Sequence, residues 1–410
     1  MLDRINESLE SKLNFKYILA QGLYWMMVCV CVSFASAYLT GKGYGTFAIG
    51  FLLAISFLIA AILQQIISIY ADSSTRFNVI DILAISAAIL SVDMIIAALT
   101  PNKGFWAGFT FIVGAVIATI IQPFLNALNF HLEKYKVNMN YGVARANGSF
   151  CFFVVSLIAG ALIQNISVNA APFIGFIVAV LFVAVLFWIN TDLKNSGIDI
   201  EDEYDPFEVQ ESKGFSVYEA MDFLKAHKMF FIFLIGMMGY YFGHIIVNNF
   251  LYQIVVNVGG NASDNGGLLA IQAIVELPAM IFFYKLRDVF GNKALLAFSG
   301  IFYVVKIFFT AIATTVGMLY FSMIFQALAF AIFIPASVHF VDEIMDKKDA
   351  VKGQGFVTVA MTISQLLASL LGGFIINISS VNAALWFGFI LSMAGAIVSV
   401  YGLVRINSKK

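Results

Sequence analysis

Long apolar runs, each about twenty residues, alternate along the chain with short polar clusters. A helix rises about 1.5 Å per residue, so crossing a hydrocarbon layer about 30 Å thick takes about 20 apolar residues. Twelve segments meet that length: 17–39, 46–70, 78–99, 104–128, 143–165, 171–189, 229–255, 266–286, 293–315, 317–341, 355–378 and 382–404. The expected fold class is an all-α membrane protein with twelve transmembrane helices. The first segment is too long for a signal-peptide core and more spans follow it, so it is read as retained. Residues 1–16 carry charges and loosely spaced apolar positions, which fit a short surface helix or a frayed end.

Polar positions inside the apolar runs carry the next layer of information. Glu276 and Lys306 each place a full charge near the middle of a span, in consecutive segments. A charge at the bilayer centre costs about 2.5 to 3.5 kcal/mol on insertion scales, so the chain must pair these two or hydrate them. Gln122, Asn126 and Asn129 recur at four and three residues, on one face of a helix that Pro123 kinks. Tyr240, His244, Asn248 and Tyr252 recur every four residues, beside Gly236, Gly239 and Gly243, which permit close helix approach. Arg145 and Asn147 open the fifth span, and Gln21, Tyr24 and Trp25 share a turn of the first. Each set has a plain structural alternative: interhelical hydrogen bonding for the amide and tyrosine faces, snorkelling for Arg145, a headgroup anchor for Tyr24 and Trp25, a permanent ion pair for Glu276 with Lys306. Asp93 lies in the third span without a partner assignable from sequence, and His131, His339 and Asp342 fall near helix ends as structural residues.

Composition agrees: 61% of the 410 residues are hydrophobic and 11% are charged, far from the average of a soluble domain. Lysine and arginine favour the cytoplasmic side of a membrane. With the N-terminus inside, only Lys42 and Lys103 fall on the outer side, and both termini are expected to be cytoplasmic in a plasma (inner) membrane protein. A net charge of -1 gives no sign of a nucleic-acid partner. The three cysteines, Cys29, Cys31 and Cys151, lie within apolar segments and form neither a disulfide framework nor a metal-ligand pattern. No cofactor is expected. No ATP-binding loop and no nucleophile with its base appears, which argues against a primary pump or a membrane enzyme.

The second span ends in Asp72, with Arg76 four residues on; the eighth ends near Asp288, with Lys293 five residues on. A second echo joins Glu133-Lys134 and Arg145 to Asp346-Lys347 and Lys352. Both fit two parallel six-helix halves. The expected organisation is an N-terminal segment (1–16), an N-terminal bundle (17–189), an acidic, solvated linker (190–228), a C-terminal bundle (229–404) and a cytoplasmic tail (405–410).

Six plus six helices, a long central loop and the repeated acid-to-base signature resemble the major facilitator superfamily. That resemblance implies a conformational latch made by Asp72, Arg76, Asp288 and Lys293, the first copy lacking the usual glycines. Within the superfamily the chain looks like the oligosaccharide:proton symporter, lactose permease-like branch. Three stretches carry the likeness: Ile49-Gly50 through Gln64 to Asp72, Gly142-Val143-Ala144-Arg145, and Gly291-Asn292-Lys293-Ala294-Leu295-Leu296 through Lys306. They imply that Arg145 is a sugar-binding arginine, that Phe152 stands where the branch has a stacking tryptophan, and that Lys306 replaces a buried arginine. The branch's tenth-helix charges are missing, since Gln326-Ala327-Leu328-Ala329-Phe330 runs to Pro335 uncharged; its fourth-helix glutamate falls near Asn129, and its eighth-helix glutamate at Ala273, one turn before Glu276.

The function expected is secondary active transport by alternating access, as proton-coupled symport of a small polar solute: a sugar, oligosaccharide or nucleoside. Arg145, Phe152, Gln122, Asn126, Asn129, Tyr24, Trp25, Tyr240, His244 and Asn248 would bind the solute, and Glu276 with Lys306 would couple it to protons. The alternatives are an exporter of drugs or metabolites by proton antiport, and a non-transporting membrane sensor or scaffold. The partners expected are the lipid bilayer, the solute and protons, with the chain monomeric.

Overall fold

Without water in the hydrocarbon region, a spanning segment has to satisfy its backbone groups internally, which an apolar run does by coiling into a helix. The computed structural model describes residues 2–73, 78–102, 104–196 and 217–406, with side chains apart from 2–8, 68–73, 217–220 and 347–348. Every long apolar run is helical, and eleven helices among the described residues are long and apolar enough to cross a membrane. One of these, Ala262–Ala311, is 50 residues long and breaks at Gly291, whose φ of 76° is a left-handed value that glycine adopts without steric cost. Divided there, the eleven helices become the twelve expected spans. The loop expected between the eighth and ninth segments is thus a single glycine.

We label the spans in chain order. α1 is Leu2–Val28, carried on through a π-helical turn, Cys29–Ser33, and Ala35–Gly41. α2 is Thr46–Ser73, α3 Val79–Leu99, α4 Phe105–Glu133, α5 Tyr141–Asn165 and α6 Ala170–Asn195. α7 is Lys228–Asn249 continued by Leu251–Asn257; α8 and α9 are 262–290 and 292–311. α10 is Val316–Ile324 and Phe330–Ile344, interrupted by the 3-10 turn Phe325–Ala327; α11 is Lys347–Ile378 and α12 Val381–Arg405. A short helix, Val217–Ala226, precedes α7. Helix starts are fixed by side chains that satisfy the free N–H groups: Asn78 with Asp81 and Asn261 with Asp264 form reciprocal capping boxes, and Thr315 and Ser380 accept from the third residue on.

The chain forms two compact units, 1–43 with 55–213, and 44–54 with 214–410. In the first unit α1 packs against α5 and α6, and α3 against α4 and α6. Residues 9–16, expected outside the first span, continue α1 without a break. Leu13 and Lys16 are buried there, and Lys16 bonds to the Asp192 carboxylate and the Trp188 carbonyl while lying 4.1 Å from the centre of the Trp188 indole. Its aliphatic stem covers apolar surface while its charge is neutralised.

In the second unit the glycines of α7 do what their spacing predicts. A Cβ at Gly236 would overlap the Ser399 backbone, and one at Gly239 would lie 2.8 Å from the Gly395 Cα. α7 and α12 are thereby in backbone contact along Gly236, Gly239 and Gly243, where dispersion and close packing replace the hydrophobic effect that lipid cannot supply.

Candidate functional site

Three helices of the second unit bring charged and amide groups into one buried cluster. Gln272 and Glu276, four residues apart, share a face of α8; Lys306 projects from α9; Gln326 sits in the 3-10 turn that interrupts α10. The Gln326 Nε2 donates to Glu276 Oε1 at 2.8 Å, and its Oε1 accepts from Lys306 Nζ at 2.7 Å. Lys306 Nζ also reaches Gln272 Oε1 at 3.4 Å. An ammonium only donates and an ionised carboxylate only accepts, so the amide between them has one orientation that serves both. Lys306 is fully buried and Glu276 is 9% exposed. The demand that the two charges find partners is met through an intervening amide.

Local backbone irregularity places these groups. Pro278, two residues beyond Glu276, has no N–H to give the Ile274 carbonyl, and the α10 turn sets Gln326 off the regular helical path. Discontinuous helices at membrane depth occur where they line a polar site. Below Lys306, Thr310 donates to its carbonyl at 2.8 Å and lies 3.1 Å from Ser322, so the α9–α10 contact continues as hydrogen bonds.

Aromatic rings adjoin this cluster. Tyr240 stacks on Tyr303 at 5.2 Å, and the His244 ring meets Tyr303 edge-on at 5.0 Å and stacks on Phe330 at 5.5 Å. Asn248 Nδ2 lies 3.0 Å from His244 Nε2. Polar atoms in this region without a hydrogen-bond partner in the protein include His244 Nδ1, Asn248 Oδ1, Tyr303 Oη and Gln272 Nε2. A buried, unpaired polar atom costs about 1 to 3 kcal/mol, and a polar solute that completes its hydrogen bonds recovers that cost.

The first unit holds a second polar and aromatic set. The Arg145 guanidinium lies 4.0 Å above the Trp25 ring, and its Nη1 donates to Ser149 at 2.9 Å. Gly148, one helical step from Ser149, admits the indole; a Cβ there would overlap Trp25. Asn147 is tied to the Ile18 carbonyl at 2.9 Å, which fixes α5 against α1. Trp25 Nε1 is buried with no hydrogen-bond partner in the protein, whereas the Tyr24 hydroxyl is committed to the Ala118 carbonyl at 3.2 Å. Phe152 is half-buried.

The α4 amides go to different environments. Asn129 is buried and donates to Glu133 at 3.0 Å; Asn126 accepts from Tyr141 at 3.4 Å; Gln122 is exposed. Of the latch residues, Asp288 pairs with its neighbour Arg287 at 2.9 Å and Lys293 donates to the Ile406 carbonyl at the end of α12. Asn292 donates to Glu343 of α10 at 2.9 Å. The Asp72 side chain and Arg76 lie outside the described residues. No group of histidine, cysteine and acidic side chains among the described residues is placed to hold a metal ion.

Gln326, Gln272 and Tyr303 are members of the second-unit cluster that sequence reasoning passed over. Gln272 was findable as the residue one turn before Glu276. Gln326 was findable as an isolated amide in the apolar run of the tenth span.

The model of the MFS_1 like family matches residues 17–387. The nucleoside transporter NupG has a similar fold, with a TM-score of 0.72 at 13% identity, covering 97% of this chain and 100% of that one. A bacterial homologue of the human lysosomal transporter Spinster, in an inward-facing and unoccupied conformation, gives a TM-score of 0.66 at 14% identity over 97% of this chain and 96% of that one. Multidrug resistance protein 2 of Bacillus subtilis (strain 168) is 26% identical over 141 residues, 34% of this chain and 35% of that relative, so the match spans about a third of its length.

Proposed function

The chain belongs to the MFS_1 like family of membrane transporters, and we propose that it is a secondary active transporter working by proton-coupled symport of a small polar solute: a sugar, oligosaccharide or nucleoside. The observation that carries this reading is the bridge from Lys306 through Gln326 to Glu276. A carboxyl whose donor and nearby cation sit on other helices changes its affinity for a proton whenever those helices move. Alternating access supplies such a movement, and the proton then gains about 2.3 kcal/mol for each 100 mV crossed. The unpaired atoms of His244, Asn248, Tyr303 and Gln272 in the second unit offer donors and acceptors for hydroxyl or amide groups of a solute. In the first unit, taken by itself, Arg145 and Trp25 present a cation and a ring face. Both termini are assigned to the cytoplasm from the lysine and arginine distribution.

A second reading, export by proton antiport, is supported by the local similarity to Multidrug resistance protein 2. Purified protein in vesicles, screened with sugars, nucleosides and aromatic acids, separates the two. Symport predicts that solute entering a vesicle carries protons in with it; antiport predicts proton movement against the solute. A screen in which solute is carried without any proton movement contradicts both.

A further inference from the structure

Asp93 stands outside the clusters described above, in α3 of the first unit, at 6% exposure. Its Oδ2 has no hydrogen-bond partner in the protein. Across from it is Gly114 of α4, where a Cβ would lie 3.1 Å from that oxygen and closer still to Met94, so only a glycine leaves the carboxyl its space. The next residue, Met94, touches Cys31 at 3.6 Å, sulfur to sulfur, within the π-helical turn of α1. A small cavity opens at this point, walled by Cys31, Met94, Phe111 and Pro172.

The surroundings decide what the carboxyl can bind. Titratable neighbours from α1 are the Cys31 thiol and, two turns further, the Tyr38 hydroxyl, which donates to the Ala97 carbonyl at 3.1 Å. The faces of α4 and α6 against it present Gly114, Phe111, Pro172 and Gly175, none of them charged. Lys42, just past the end of α1, has its ammonium taken by the Thr100 carbonyl, two turns beyond Asp93. One carboxylate among thiol, thioether and aromatic groups offers too few oxygens for a hard metal ion, which takes six or more. An ionised carboxylate in this setting would be an unpaired charge at membrane depth, which proteins avoid by neutralising the group.

We infer that Asp93, set between Gly114 and the π-helical turn of α1, is a second proton-binding site, separate from Glu276 and closed in this conformation. The π turn supplies the means of opening it. Its extra residue is accommodated by a bond from the Phe34 N–H to the Cys29 carbonyl at 3.0 Å, and reverting that turn to α-helix rotates Cys31 away from Met94 and the cavity wall.

Infrared spectroscopy of the full chain in lipid tests it directly, because a neutral carboxyl has a carbonyl stretch apart from that of a carboxylate. Carbon-13 aspartate labelling of the unmodified protein identifies the band as an aspartic one. Asp93 is the one buried aspartate among the described residues, and Asp93→Asn assigns the band to it. The expected result is an isotope-shifted neutral-carboxyl band at neutral pH that fades reversibly in alkali and is lost in Asp93→Asn, while Glu276→Gln retains it. Absence of an aspartic neutral-carboxyl band at neutral pH, or a band that persists unchanged until the protein unfolds, overturns the inference.

Discussion

Gln326 joins Glu276 to Lys306, donating to the carboxylate at 2.8 Å and accepting from the ammonium at 2.7 Å. An amide in that position links the two charges without fixing their separation, because a side-chain rotation can release either bond. Gln326→Leu removes both bonds and leaves two buried charged groups short of a partner. We expect a loss of about 2 to 5 kcal/mol in stability, read as a lower unfolding temperature in detergent, and loss of solute accumulation. Gln326→Glu keeps the size and adds a second carboxylate, and should restore folding better than coupled transport.

Removing both charges distinguishes a structural from a functional role. Glu276→Gln/Lys306→Met should recover the thermal stability lost in Lys306→Met alone, since no buried charge then remains unpaired. Proton-driven accumulation should stay absent. Recovery of accumulation together with stability would show that the charges only hold the helices.

Arg145 over Trp25 at 4.0 Å makes a stacked cation contact worth about 0.5 to 2 kcal/mol. Arg145→Lys keeps the charge and loses the planar fork, so solute affinity should fall several-fold with little change in unfolding temperature. Trp25→Ala should weaken binding similarly. Equal affinity in both variants would remove these residues from the solute site.

Lys42, between α1 and α2, is buried and held by the Thr100 carbonyl, and desolvation lowers its pKa from the ordinary lysine value of 10.5. Between the lowered and the ordinary value the unfolded chain holds more protons than the folded one, so stability rises with pH across that window. Lys42→Met should flatten this rise, measured as unfolding temperature against pH.

Much of the fold was legible in the sequence because the requirement for about twenty apolar residues is strict. The α7–α12 contact was half legible: Gly236, Gly239 and Gly243 announce a close approach, but the partner helix comes only from tertiary packing. Gly291 was harder to read, since a single residue with positive φ turns one helix into the next where a loop was expected. The charges Glu276 and Lys306 stood out against their apolar surroundings, whereas Gln326 did not, because an amide carries little weight in a hydropathy pattern and gains its role from a 3-10 turn. The amides of α4 show the converse. Their spacing at four and three residues suggested one binding face, yet Asn129 is taken up by Glu133 and Asn126 by Tyr141.

The most direct test of proton coupling through Glu276 is Glu276→Gln in vesicles that carry an imposed proton gradient. The account predicts that uphill solute accumulation is lost while exchange of internal for external solute continues. Full uphill accumulation by Glu276→Gln would contradict it.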